Sequence, residues 1–274
     1  ITSTCSKESP KMLTRSKILR HTCSALAIAF ASLASYAATL TTQLGFLIDA
    51  SGSIGTQNFN TMRSGYATAL AALPTDGSIE LTVVTFASGT ATVVAPTIVT
   101  SATLPSIITS INNMLYTGGS TATNLGINAI TGLMTGSGNF NRNLNSMINI
   151  ATDGVPNSTS LAITAAVNAE NAGIDALTAE AIGGFNASFL RDLVFSPVNG
   201  PCAGCGTLLA INSEPPNPMT SNPWVLPVNS FDDFPTAINA KVQASVGNVP
   251  EPGVLTLLAL GLVGLGFARR NRPA

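Results

Sequence analysis

The sequence predicts one α/β domain in which a mostly parallel central sheet is flanked by helices. Three observations carry that expectation. Apolar, β-branched strand signals alternate with helix-length amphipathic segments over residues 42–246, the order that builds parallel sheets through helical crossovers. Hydrophobic residues make up 45% of the chain, ample for a core at this length. Two aspartates, Asp49 and Asp153, each close an apolar run, and in such sheets ligands gather at the carboxyl ends of the strands. There is no internal repeat.

Taken in order, Leu44 to Ile48 reads as a buried strand, Thr56 to Leu73 as an amphipathic helix, and Ile79 to Phe86 as a second, β-branched strand. Thr92 to Val99 is expected as a short antiparallel edge strand. Helices follow near Leu104 to Met114 and Asn124 to Met134. Met147 to Thr152 is a strand running into Asp153, and Thr159 to Ala172 a helix stopped by Gly173. The stretch "IDALTAEAIG" reads as strand five. Residues 196–223 hold six prolines and read as irregular. Trp224 to Val228 makes a last strand and Phe231 to Val246 a closing helix.

Both ends fall outside this pattern. Lys7, Lys11, Arg15, Lys17 and Arg20 precede an apolar run from Ala25 to Leu33 that closes on Ser35, Tyr36 and Ala37. Residues 1–37 thus read as upstream residues and a secretory signal peptide, with Met12 the expected start. At the other end, Pro250, Glu251 and Pro252 lead into apolar residues 254–268 and then Arg269, Arg270 and Arg272. These three parts, over residues 249–274, resemble a PEP-CTERM sorting signal, which implies handling by an exosortase-type membrane enzyme in an exopolysaccharide-producing Gram-negative bacterium. Fifteen apolar residues make about 22 Å of helix, short of a hydrocarbon core of about 30 Å. The tail therefore suits a transient inner-membrane anchor, with the arginines cytoplasmic and the rest of the chain outside.

Between the ends, residues 38–248 carry Arg63, Arg142, Arg191 and Lys241 against eleven acids, a net charge of −7. Nucleic acid is excluded as a partner, because its binding needs clustered cations. The single histidine, His21, lies in the signal peptide. That excludes Ser-His-Asp and Cys-His catalysis and His-ligated zinc. Cys202 and Cys205 form the sequence Cys-Ala-Gly-Cys, and export makes a local disulfide the default. A thioredoxin-like redox pair is the alternative, without the strand-to-helix setting that lowers a thiol pKa.

The stretch "FLIDASGSIG" sets Asp49, Ser51 and Ser53 behind a strand, with Gly52 between the serines to let the loop turn. Three oxygens aimed at one point are hard ligands, suited to Mg²⁺, Mn²⁺ or Ca²⁺. The plainer reading is that Asp49 ends a strand and a serine N-caps the next helix. Two further segments bear on the choice: "TGGSTATNLG", with Thr121 ahead of a helix, and "ATDGVPN", with Asp153 after a strand.

In this order the three segments resemble the von Willebrand factor A domain, over roughly residues 42–246. The resemblance implies a Rossmann-like fold and a metal-ion-dependent adhesion site at Asp49, Ser51, Ser53, Thr121 and Asp153. Ser120 is the alternative to Thr121, Thr123 is expected as an N-cap, and Asn157 as a loop hydrogen-bonder. Neutral hydroxyl ligands, with one carboxylate acting through water, would leave the cation electrophilic toward an anionic oxygen. The expected function is therefore recognition and not turnover: an exported surface or matrix protein that binds a protein or acidic polymer through Mg²⁺, with Mn²⁺ or Ca²⁺ as alternatives. A biofilm scaffold in which the metal only stabilises the fold is the second reading. A metal-assisted phosphotransferase is the third, disfavoured because Ser51 stands where a second carboxylate would be needed.

Overall fold

The computed structural model describes residues 38–246. The expected signal peptide and the expected tail with its membrane segment lie outside them. Among the described residues no helix is long and apolar enough to cross a membrane.

Seven strands form one sheet: β1 (Thr42–Asp49), β2 (Asp76–Phe86), β3 (Thr90–Thr100), β4 (Asn145–Thr152), β5 (Ala176–Ile182), β6 (Thr207–Leu208) and β7 (Trp224–Val228). Their spatial order is β3-β2-β1-β4-β5-β7-β6. Every pairing is parallel except β2 with β3. Strand β1 is buried along all eight residues, as a central parallel strand covered on both faces must be. Its alternate side chains feed two cores. Leu44, Phe46 and Ile48 face helices α1 (Gly55–Ala71), α2 (Leu104–Asn112) and α6 (Phe234–Val246), while Leu47 faces α3 (Thr123–Thr135), α4 (Thr159–Ala172) and α5 (Ala187–Leu193).

Some elements depart from the sequence reading. Helix α1 ends at Ala71 instead of Leu73, because Pro74 disfavours helical geometry at the residue before it. Strand β3 is longer than expected, pairing with β2 from Thr90 to Thr100. Helix α5 was not anticipated; it is seven residues long, capped by the Asn186 side chain accepting from Phe189 N at 3.1 Å, and buries Phe189, Leu190 and Leu193. So short a helix offers barely two turns of periodicity. The two-residue β6 lies inside the proline-rich stretch and pairs with β7. Beside it, Cys202 and Cys205 are paired across a turn with Cα atoms 5.4 Å apart. Arg191 fastens that turn by donating to the carbonyls of Gly206 at 2.7 Å and Gly204 at 2.8 Å.

Helix α3 comes close to the sheet through Gly126, where a Cβ would sit 3.0 Å from Leu47 Cδ1 and from Phe86 Cβ and Cγ. Gly126→Val is expected to destabilise the domain by about 1–3 kcal/mol through overpacking. A thermal melt checks it, and an unchanged melting temperature would contradict this seating.

Candidate metal centre

Strand order reverses between β2 and β4 on either side of β1, so the loops after β1 and β4 diverge and leave a crevice at the carboxyl edge. Register sets what meets there. Ile48 pairs with Ala151, which brings Asp49 level with Thr152, and the Thr152 hydroxyl donates to Asp49 Oδ2 at 2.5 Å. Ser51 N donates to Asp49 Oδ1 at 2.8 Å. Both carboxylate oxygens are thus aimed from inside the sheet.

Four of the five expected ligands lie on one continuous chain. From Asp49 it passes through the Ser51 backbone to the Ser51 hydroxyl, 3.3 Å from the Ser53 hydroxyl, which donates to Asp153 Oδ1 at 2.8 Å. Thr121 joins from a third loop. Its Oγ1 and Ser53 Oγ each lie 3.5 Å from the point where a side chain on Gly154 would begin. A side chain at Gly154 would crowd that space.

The helix-capping explanation fits poorly. The N-cap of α1 is Ile54, and no side chain caps it; Ser51 and Ser53 turn instead to each other and to Asp153. Thr123 is likewise not an N-cap. It is the first helical residue of α3, preceded by Ala122 as an uncapped N-cap, because the backbone at 121–122 is held by other partners. Ala122 N donates to Ala87 O at 2.8 Å, and Asn157 clasps Thr121 on both sides, accepting from Thr121 N at 3.0 Å and donating its own N–H to Thr121 O at 2.8 Å. Ser120 is engaged elsewhere: its hydroxyl donates to Ser88 Oγ and accepts from Asn157 Nδ2, each at 3.1 Å.

Glycine permits the loops to touch. Gly52 N donates to Gly119 O at 2.8 Å, and a Cβ on Gly52 would sit 3.0 Å from that oxygen. Gly52 therefore serves close approach; the left-handed residue of this loop is Gly55, at φ 73°. On the far side of the 117–119 segment lies a cleft of about 340 Å³, lined by Ser88, Gly89, Thr90, Thr117 and Gly118 among others and free of charged side chains.

Asp49 is fully buried, and burial raises its carboxyl pKa against the pull of the Ser51 and Thr152 hydrogen bonds, with the charge of Asp153 adding to the rise. Burial also raises Asp153, opposed by Ser53. The donors to both are hydroxyls and backbone N–H groups. Two carboxylates close together without a cationic neighbour hold negative charge poorly, which a bound cation would reverse. No cluster of three or more His, Cys, Asp or Glu occurs among the described residues, so a cation here would depend on the hydroxyls. Oxygen donors of this kind fit a hard divalent ion. Such an ion, if held there, would attract an anionic oxygen of a ligand, and Thr152, Asn157 and Ser51 N would keep the donors aimed.

Thr152 and Ser88 were not singled out from the sequence. Thr152 stands in the Thr-Asp-Gly stretch, yet its role depends on β1 and β4 register, which no local pattern encodes. Ser88 carries no signal at all.

The family model for the von Willebrand factor type A domain matches residues 43–202, and that for the PEP-CTERM protein-sorting motif matches residues 248–272. No curated protein matches the chain. Among solved structures, proximal thread matrix protein 1 from the mussel byssus superposes with a TM-score of 0.57 at 20% identity, over 75% of this chain and 48% of that one. The same protein "with zinc occupied MIDAS motif" gives 0.54 at 20%, over 75% and 48%. The pilus adhesin SpaC from Lactobacillus rhamnosus GG gives 0.54 at 12%, over 75% and 30%. The chain spans about half the length of the byssus chains it matches, and at these identities the likeness is one of fold. With the domain model covering more than half the chain and the sheet order behind it, the protein belongs to the von Willebrand factor type A domain family and carries a PEP-CTERM sorting motif at residues 248–272.

Proposed function

We propose that this protein is an exported surface or matrix binding protein that captures a carboxylate of a protein partner through a divalent cation. The cation is held by Asp49, Ser51, Ser53, Thr121 and Asp153, and no turnover follows. The observation that carries the reading is the run of hydroxyls and carboxylates joining the loops after β1 and β4, with both serines turned away from the helix they precede. Mg²⁺ is the favoured ion, with Mn²⁺ or Ca²⁺ as alternatives, because every donor is oxygen.

A protein partner is favoured over an acidic polymer by what surrounds the site. Leu115 is 75% exposed and Val155 58%, on the loops that carry Thr121 and Asp153, and exposed apolar residues beside a polar anchor suit a protein interface. The byssus protein is a thread matrix protein and SpaC a pilus adhesin by name, in keeping with a place outside the cell. Export, exosortase handling and transient inner-membrane anchoring rest on the sorting motif. The scaffold reading has one observation in its favour: Asp49 and Ser51 are both fully buried, as purely stabilising ligands would be.

The test is a thermal melt of residues 38–248 with and without Mg²⁺, Mn²⁺ or Ca²⁺. An ion at about 100 times its Kd adds about 2.7 kcal/mol, or about 5–10 °C in Tm for a domain of this size. No rise with any of the three overturns the metal site. A rise without cation-dependent binding to partner proteins favours the scaffold.

A further inference from the structure

On the other side of the sheet from α3, a second polar cluster lies wholly inside the core. Lys241 of α6 and Glu180 of β5 are both fully buried. Asn149 of β4 and Thr178 of β5 are register partners, and Glu180, two residues after Thr178, projects to the same face. Lys241 Nζ donates to Thr178 Oγ1, and Asn149 Nδ2 approaches the same oxygen at 3.4 Å. Lys241 Nζ also lies 4.4 Å from the centre of the Trp224 ring, and Phe46, Tyr66 and Phe234 pack edge-on or tilted in the core around α1 and α6.

This cluster is poorly satisfied. Both carboxylate oxygens of Glu180 and the amide oxygen of Asn149 are buried without a hydrogen-bond partner among the described residues, and such atoms are costly and rare. Burial pushes the Lys241 pKa down and that of Glu180 up, each partly offset by the charge of the other. With Lys241 lowered to about 8 and Glu180 raised to about 7, a neutral amine beside a neutral acid is accessible near neutral pH. A desolvated lysine amine is a nucleophile, a carboxyl group is a proton donor, and an amide carbonyl is an electrophile.

We propose that Lys241 and Asn149 become joined by an intramolecular amide bond, with Glu180 as the proton-transfer group. The lone pair of Lys241 Nζ attacks Asn149 Cγ and forms the new C–N bond. The Glu180 carboxyl and Asn149 Oδ1, both unpartnered in the resting structure, meet as negative charge develops on that oxygen. A proton from Nζ passes by way of Glu180 to Nδ2, the Cγ–Nδ2 bond breaks, and ammonia leaves with that electron pair. One amide replaces another, so no oxidant, metal or outside reagent is consumed. Lys241 Nζ and Asn149 Nδ2 both reach the Thr178 hydroxyl, which sets amine and amide against one oxygen, and attack within one folded chain needs no second molecule. The aromatic wall excludes the water that would compete. The bond ties α6 to the centre of the sheet.

Tryptic mass mapping of the purified full chain tests the proposal. Cleavage after Arg142 and Arg191 places Asn149 and Glu180 in peptide 143–191, and Lys241 in the peptide beginning at Asp192. The expected result is one linked species, uncleaved after Lys241 and about 17 Da lighter than the two peptides combined, the mass of ammonia. Lys241→Arg and Glu180→Gln are expected to give separate peptides. Free wild-type peptides with cleavage after Lys241 overturn the bond. A loss of about 18 Da with the link mapped to Glu180 overturns Asn149 as the acceptor, and a link that survives in Glu180→Gln overturns the role of the acid. The wild-type measurement decides the bond even if a variant fails to fold.

Discussion

Asp49→Asn is expected to abolish saturable divalent-ion binding, lowering affinity by more than about 100-fold, since even the outer partners of metal ligands are worth about 10–100-fold. The metal-free variant is expected to melt at or above the wild-type temperature. Asp49 is fully buried, with Asp153 adding to the rise in its pKa, and neutralising such a carboxylate removes a desolvation cost. Asparagine keeps an acceptor for Ser51 N, and the Thr152 hydroxyl is free to rotate. The opposite signs of the two effects distinguish a binding residue from a structural one. Calorimetric titration with Mg²⁺ and Mn²⁺, beside thermal melts of both proteins, reads them together. Wild-type ion affinity in the variant would remove Asp49 from the site, and a metal-free Tm several degrees lower would make its carboxylate part of the fold.

Gly119→Ala is expected to weaken the same site without touching a ligand oxygen. Gly119 adopts φ 91°, and a Cβ there would sit 2.4 Å from Ser88 Oγ. The left-handed conformation alone costs a side chain about 1–2 kcal/mol. Ser88 cannot simply swing aside, because it receives Ser120 N at 2.9 Å and the Ser120 hydroxyl at 3.1 Å. If the loop moves instead, Gly52 N loses its acceptor and Thr121 leaves Ser53 and Gly154. We expect a loss of about 2 kcal/mol or more once the disrupted hydrogen bonds are included, a Tm lower by about 4–8 °C, and ion affinity reduced about tenfold. Gly132→Ala is the control: it lies in α3 with nothing within 4 Å of the added carbon. That change is expected to stabilise by about 0.5–1 kcal/mol. Equal Tm losses in both variants would contradict the loop contact.

Much of the architecture was legible because it is local. Alternation of β-branched runs with helical segments places β1, β2, β4 and β5, and Gly173 ends α4 in the left-handed conformation, φ 107°, that its residue type invites. Asp49, Ser51 and Ser53 were named from a strand end and hydroxyl spacing, and Thr121 and Asp153 joined them through the resemblance to the von Willebrand factor A domain. Helix α5 escaped because seven residues carry too little periodicity, and Thr123 was misread because a threonine before an apolar run resembles a cap wherever the backbone happens to begin.

The sequence by itself determined the α/β class, the strand-terminal carboxylates and the hydroxyls near them, since each follows from propensity and spacing within a few residues. Only the tertiary structure decided which of those groups meet. The β1 and β4 register sets Thr152 against Asp49, the Gly52 and Gly119 contact brings the second loop to the first, and Asn157 leaves Thr121 beside Gly154 while Ser120 turns to Ser88. The core cluster is the extreme case: Asn149, Glu180 and Lys241 are far apart in sequence and meet through β4 and β5 register and the docking of α6. Local chemistry chooses the residue types, but long-range packing chooses the neighbours, and function depends on the neighbours.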